Sequence, residues 1–187
     1  MSSNVMPMDQ HSEKLVAAIH RWVRMLNAAE RSVDQSLFNQ MFSLPTYGPM
    51  REDVDNVGNF RHWNYSVIVG VHMVTISFGQ LEEHTKHLAK TSLWHGDVAR
   101  KGESFRSEVS RFGIGDLRDV LEHSADYIVG CGWKPHLAPD RSADFPGYGG
   151  AKGRLDMIEV FGRKYQIQDA MRAAREFAAT LPNAPVI

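Results

Sequence analysis

Cysteine is nearly missing from this chain of 187 residues, where Cys131 stands alone. A lone cysteine cannot close an internal disulfide, and no Cys cluster exists to build a zinc finger or an iron–sulfur site. A reducing cytoplasm is the expected setting. An excess of either charge is missing as well. With 21 basic and 22 acidic residues the formal charge is -1, so no global positive field advertises nucleic acid and only a local patch remains open. The N-terminal MSSNVMPMDQHSEK has neither the basic segment nor the apolar run of a secretory leader, and export by that route is not expected. Most telling is an absence in the interior: from His62 to Leu81 twenty consecutive residues carry no formal charge.

Such a stretch raises the question of a membrane. Its apolar centre, Val67 to Phe78, is only about twelve residues long and is interrupted by His72, Thr75 and Ser77. A spanning helix needs roughly twenty mostly apolar residues. The expectation is instead a helix buried over most of its circumference within a bundle. The overall composition, 43% hydrophobic and 23% charged, suits a globular domain with an ordinary core.

Apolar residues at Leu15, Ile19, Trp22, Leu26, Ala29, Val33, Leu37 and Met41 recur at spacings of three and four. They predict one long amphipathic helix over 11–43. Pro45, Gly48 and Pro49 then break the chain. The same spacing returns at Trp63, Val67, Val71, Val74, Phe78, Leu81 and Leu88 and predicts a second long helix over 59–93. Two helices of matching length joined by a loop read as an antiparallel hairpin, which needs further helices or a second chain to cover its apolar stripe.

Residues 102–112 suggest a short helix. Beyond the break at Gly113-Ile114-Gly115, Asp116 is a candidate N-cap and Gly130 and Gly132 supply a stop, which predicts a helix over 117–129. The Gly- and Pro-rich segment 131–153 reads as a long loop, whose run from Gly147 to Gly153 bears a faint likeness to a phosphate loop without the Gly-Lys-Ser/Thr that would support it. Segments 157–160 and 164–167 around Phe161-Gly162-Arg163 suit a β-hairpin, and 169–181 an Ala-rich final helix. The expected fold is mainly α: an antiparallel bundle of two long helices plus shorter ones, with a small C-terminal hairpin and a final helix. The expected division is a bundle over 1–132, with 133–187 packed on the same domain.

Chemistry concentrates on the helix after Asp116. Leu117, Val120, Leu121, Ser124 and Ile128 fall on one stripe, with Arg118, Asp119, Glu122, His123 and Asp126 opposite. Asp119, His123 and Tyr127 stand four apart in a row, so a carboxylate can orient an imidazole beside a phenol, as proton transfer requires. Arg118 sits in the first turn, where a cation opposes the helix dipole. Two answers are open: an ion pair with Glu122 one turn on, or a phosphate held jointly by the guanidinium and the free N–H groups of the helix start.

The phrase Arg118-Asp119-Val-Leu-Glu-His123 resembles the Arg-x(4 to 6)-His signature of the HEPN superfamily, the higher eukaryotes and prokaryotes nucleotide-binding domain. The longer RDVLEHSADYIVG is similar to a helix in a group of bacterial proteins. Two long antiparallel helices followed by the motif helix is also the order of that family. The resemblance covers about Asp116 to Gly130 in detail. It implies a homodimeric, metal-independent endoribonuclease without cofactors, of toxin or defence type, with an antitoxin or other partner protein and RNA as substrate. In that reading Arg118 holds the scissile phosphate, His123 moves the proton, and Asp119 orients it. Arg118 and His123 lie five residues apart, about 140° around a helix, so one site using both must be completed across a two-fold axis. The alternative is a catalytically silent HEPN-like module that binds a protein or nucleotide.

Three other groups compete for a role. His84 and His87, three apart beside Glu82 and Glu83, offer a metal-binding face or a solvated one; the Glu-x-x-His spacing of carboxylate bundle sites is lacking, since Thr85 and Lys86 follow Glu82 and Glu83 at three residues. His72, inside the apolar run, is a hydrogen-bonded core histidine or an interface residue. Arg100, Lys101, Arg106 and Arg111 form a modest basic cluster that could carry an RNA backbone or be solvated.

Overall fold

The computed structural model of the chain describes residues 9–43, 54–123, 132, 134–137, 147–149, 157–160 and 163–182. Helix α1 spans Gln10–Ser43 and α2 spans Val54–Leu88. Asp9 starts α1 by accepting the Ser12 N–H at 2.9 Å and the Ser12 hydroxyl at 2.7 Å, the side-chain cap that a helix start calls for. Those hydrogen bonds hold its carboxyl below the ordinary aspartate range. The two helices form the expected hairpin, burying Leu15, Val16, Ile19, Val23, Leu26, Ala29 and Val33 of α1 against α2. They approach closely at Gly70, where an added Cβ would stand 2.3 Å from Val33 Cγ2.

Within α2 the inward residues are Val71, Val74, Phe78, Leu81 and Leu88. The polar groups inside the uncharged stretch are met by the helix itself: Thr75 donates to the Val71 carbonyl at 2.9 Å and Ser77 to that of Met73 at 2.7 Å. Such bonding one turn back lets hydroxyls enter a core without orphaned donors. Among the described residues no helix is long and apolar enough to cross a membrane.

Helix α3 spans Gly96–Phe112, six residues longer at its start than the sequence suggests. Gly102 fixes its packing, because a Cβ there would lie 2.1 Å from the Trp94 ring. Phe105 and Phe177 stack with centroids 6.0 Å apart, and Trp94 meets Phe177 edge-on at 6.1 Å. Phe177 belongs to α5, Gln168–Thr180, whose small residues Ala170, Ala173, Ala174 and Ala178 allow close contact. Arg175 ties α5 to α1 through Asn27 at 2.8 Å and through Glu30.

Two further elements complete the frame. Helix α4 spans Ile114–Glu122. Strands β1 (Gly147–Gly149), β2 (Met157–Val160) and β3 (Arg163–Gln166) form an antiparallel sheet in the order β1-β2-β3. The predicted hairpin is β2–β3, with Ile158 opposite Tyr165 and Val160 opposite Arg163. Arg163 is thus strand rather than turn. The third strand is a correction to the expected loop: Gly147, Tyr148 and Gly149 pair with Glu159, Ile158 and Met157, so the start of the glycine run is sheet edge and not phosphate loop. A 3₁₀ turn, Pro135–Leu137, also lies within that segment. Ile158, Val160 and Tyr165 join the helices in one apolar core, with Phe112 edge-on to Tyr165 at 6.1 Å.

Candidate functional site

The motif helix starts three residues earlier than Asp116 would place it. Gly113 takes the left-handed conformation, φ 78°, and caps two helices at once. Its N–H reaches the carbonyls of Val109 and Ser110, closing α3, while its carbonyl accepts the Leu117 N–H at 3.0 Å, opening α4. Only glycine adopts that backbone at little cost. Gly113 alone separates the two helices, so Ile114 is already helical and buried. Asp116, expected as the N-cap, instead occupies the first turn, where an acid suits the dipole. Its carboxylate accepts from Arg163 at 3.1 Å and lies 3.5 Å from the Lys134 ammonium, joining α4 to the hairpin. The Arg163 guanidinium also lies over the Tyr165 ring, 5.3 Å from its centroid.

Helix α4 is shorter than predicted. It ends at Glu122, with His123 as its C-cap at φ -114°, ψ 28°. The expected stripe is present where described: Leu117, Val120 and Leu121 are buried. Ser124, Asp126, Tyr127 and Ile128 lie outside the described residues, so only Asp119 and His123 of the predicted row are placed. The His123 N–H bonds the Asp119 carbonyl at 3.0 Å, and His123 is exposed.

Arg118 is 59% exposed and donates through Nε to Glu122 at 2.7 Å. That hydrogen bond, and then the carboxylate charge, raises Arg118 above the ordinary arginine value. Of the two answers the sequence left open, the Glu122 ion pair is the one found. An exposed pair of this spacing is worth only about 0.3–0.5 kcal/mol, too little by itself to withhold Arg118 from a phosphate. The surroundings decide more.

Arg118 lines a groove of about 490 Å³ between α2 and α4, whose walls include Ile76, Gly79, Gln80, Glu82, Glu83 and Lys86 of α2 and Ile114, Gly115 and Glu122 around α4. Three carboxylates there meet two cations. Lys86 already pairs with Glu82 at 2.9 Å. Among the described residues the groove is lined by Arg118 and not by His123. The α2 side of this groove escaped the sequence reading. Its signal was the uncharged stretch itself, whose exposed face carries Ile76 at 44% and Val69 at 43% exposure, seven residues apart.

The competing groups find ordinary surroundings. His84 Nδ1 lies 2.6 Å from the Gln80 carbonyl and His87 pairs with Glu83 at 3.1 Å, and among the described residues no three ligating side chains gather for a metal. His72 is half-buried on the outer face of α2 rather than in the core. Each basic residue of α3 has a carboxylate: Arg100 with Asp97 at 2.9 Å, Arg106 with Glu103 at 3.2 Å, Arg111 with Asp169 at 2.9 Å, and Lys101 with Glu176. The basic cluster is therefore compensated. No protein-family model matches the chain, and no curated protein or solved structure shows significant similarity to it.

Proposed function

We propose that this chain is a HEPN-like binding module that receives a protein partner along the α2–α4 groove, and that it does not cleave RNA by itself. The charge around Arg118 carries this reading. A phosphodiester entering the groove would meet Glu82, Glu83 and Glu122 against only Arg118 and Lys86, whereas polyanion binding depends on an excess of cations. The exposed Ile76 beside charges of both signs suits a protein surface instead.

A second reading, the metal-independent endoribonuclease of a homodimer, keeps one observation in its favour: Arg118 and His123 are both exposed, so the hairpin covers neither. In that reading Arg118 leaves Glu122 for the scissile phosphate, His123 takes or returns the proton of the 2′-hydroxyl or leaving oxygen, and Asp119 orients it. The product is a cyclic phosphate.

Incubation of the purified protein with RNA in EDTA, beside Arg118→Ala and His123→Ala, separates the two. The binding module predicts no cleavage above background in any of the three. EDTA-resistant cleavage by the wild type that both variants lose would overturn it.

A further inference from the structure

We infer that the partner received by the α2–α4 groove is a basic amphipathic helix, which seats an aliphatic side chain beside Ile76 and Ile114 and a lysine or arginine at Glu83. This rests on the reading of the groove as a protein-docking surface and adds the chemistry of what docks there. The α2 wall carries Ile76, Gly79, Glu83 and Lys86 at spacings of three and four, and the α4 wall carries Gly115, Arg118 and Glu122 at the same spacings. Each wall is therefore one stripe of a helix, and the α2 stripe is about 15 Å long. About two to three turns of a further helix match that length, as in helix-in-groove recognition through anchors at i, i+3, i+4 and i+7.

Glycine marks the seat. A glycine within a helix costs about 0.5–1 kcal/mol relative to alanine, and Gly79 stands in the interior of α2. Packing within the chain does not call for it: among the described residues an added Cβ would meet nothing within 4 Å, and the same holds at Gly115 on the opposite wall. Bare backbone on both walls leaves room for a side chain from outside to lie against main chain. Ile76, 44% exposed, and Ile114 line the same groove, so an aliphatic side chain is the one that gains by entering. Charge then selects the partner's sign. Lys86 is taken by Glu82 at 2.9 Å and Arg118 by Glu122 at 2.7 Å. Glu83 is the third carboxylate and is 58% exposed; the already paired Lys86 stands 3.9 Å from it, and His87, at 3.1 Å, is charged only when protonated. The groove thus holds one carboxylate in excess of its lysine and arginine, which favours a cationic segment and disfavours an acidic one. An exposed ion pair adds only about 0.2–1 kcal/mol, so the apolar seat supplies affinity and Glu83 supplies selectivity.

The test is a selection on the full chain from a phage-displayed library of random peptides long enough for three helical turns. Gly79→Leu, which fills the seat, serves as counter-target, with circular dichroism confirming its fold. Peptides kept by the wild type and not by the counter-target should be enriched in Lys and Arg, with aliphatic residues three or four apart. Synthesised and labelled, they should bind the wild type in fluorescence anisotropy about tenfold more tightly than Gly79→Leu or Glu83→Lys. The Glu83→Lys difference should shrink as salt rises. A selection that yields no groove-dependent peptide, or binding that Glu83→Lys leaves unchanged, would overturn the inference. Groove-dependent peptides that are acidic or wholly apolar refute the basic partner but not the binding module, while RNA cleavage that depends on His123 refutes the module whatever peptides are selected.

Discussion

On α2 the inward face presents Val71, Val74 and Phe78, each 0% exposed, whereas the outward face presents Val69 at 43% and Ile76 at 44%. Both faces are apolar, and both lie in the same uncharged stretch. Hydrophobicity alone therefore does not distinguish a buried residue from an exposed one. What separates them is geometry: α1, α3 and α4 pack on α2, yet Val69 and Ile76 stay exposed. Gly70 and Gly79 repeat the contrast in miniature, since an added Cβ collides with Val33 at the first and meets nothing within 4 Å at the second.

The largest expected difference lies between Phe78→Ala and Ile76→Ala. Phe78 is fully buried and edge-on to Phe112 at 5.5 Å, so its truncation should cost about 3–5 kcal/mol in chemical denaturation. Ile76→Ala should change stability by no more than about 0.5 kcal/mol. Similar losses would mean that the outer face is a second core.

The glycine pair comes next, with opposite signs. Gly70→Ala should lose about 1–3 kcal/mol, because the stiff, buried Val33 must give way, and this exceeds the helix-propensity gain of about 0.5–1 kcal/mol. Gly79→Ala has only the gain. A stabilised Gly70→Ala would show that the α1–α2 crossing is looser than described.

A further effect concerns Tyr165, at the hairpin end of the inward core. Among the described residues its buried hydroxyl has no hydrogen-bond partner, and burial pushes the phenol up to about 12 from 10.0. Tyr165→Phe should stabilise the chain by about 1 kcal/mol, since an unpartnered buried hydroxyl is costly. A pKa raised on folding contributes stability that is complete below the unfolded value and disappears as pH rises through the folded one. The wild type should thus lose stability between pH 10 and 12, and Tyr165→Phe should lose less. Identical alkaline profiles would place the phenol in water.

The long helices were legible because their spacing of three and four runs over many turns; the first begins within one residue of its expected start, and the mainly α architecture with a hairpin before the last helix follows from the same patterns. Ends were less legible. Asp116 looks like an N-cap, but local preference yielded to Gly113, whose left-handed backbone closes α3 and opens α4 in a single residue. Strand β1 was hidden because Gly147-Tyr-Gly149 has no alternating pattern of its own and takes its form from pairing with β2. At the site, the Arg118–Glu122 pair was readable from its i,i+4 spacing, while the carboxylates of α2 that share the groove with Arg118 come from a distant part of the chain and are seen only once the helices pack.

Incubation of the wild-type chain with RNA in EDTA, beside Arg118→Ala and His123→Ala, tests the binding-module reading most directly. That reading predicts no cleavage above background by any of the three proteins. EDTA-resistant cleavage by the wild type that both variants lose would contradict it.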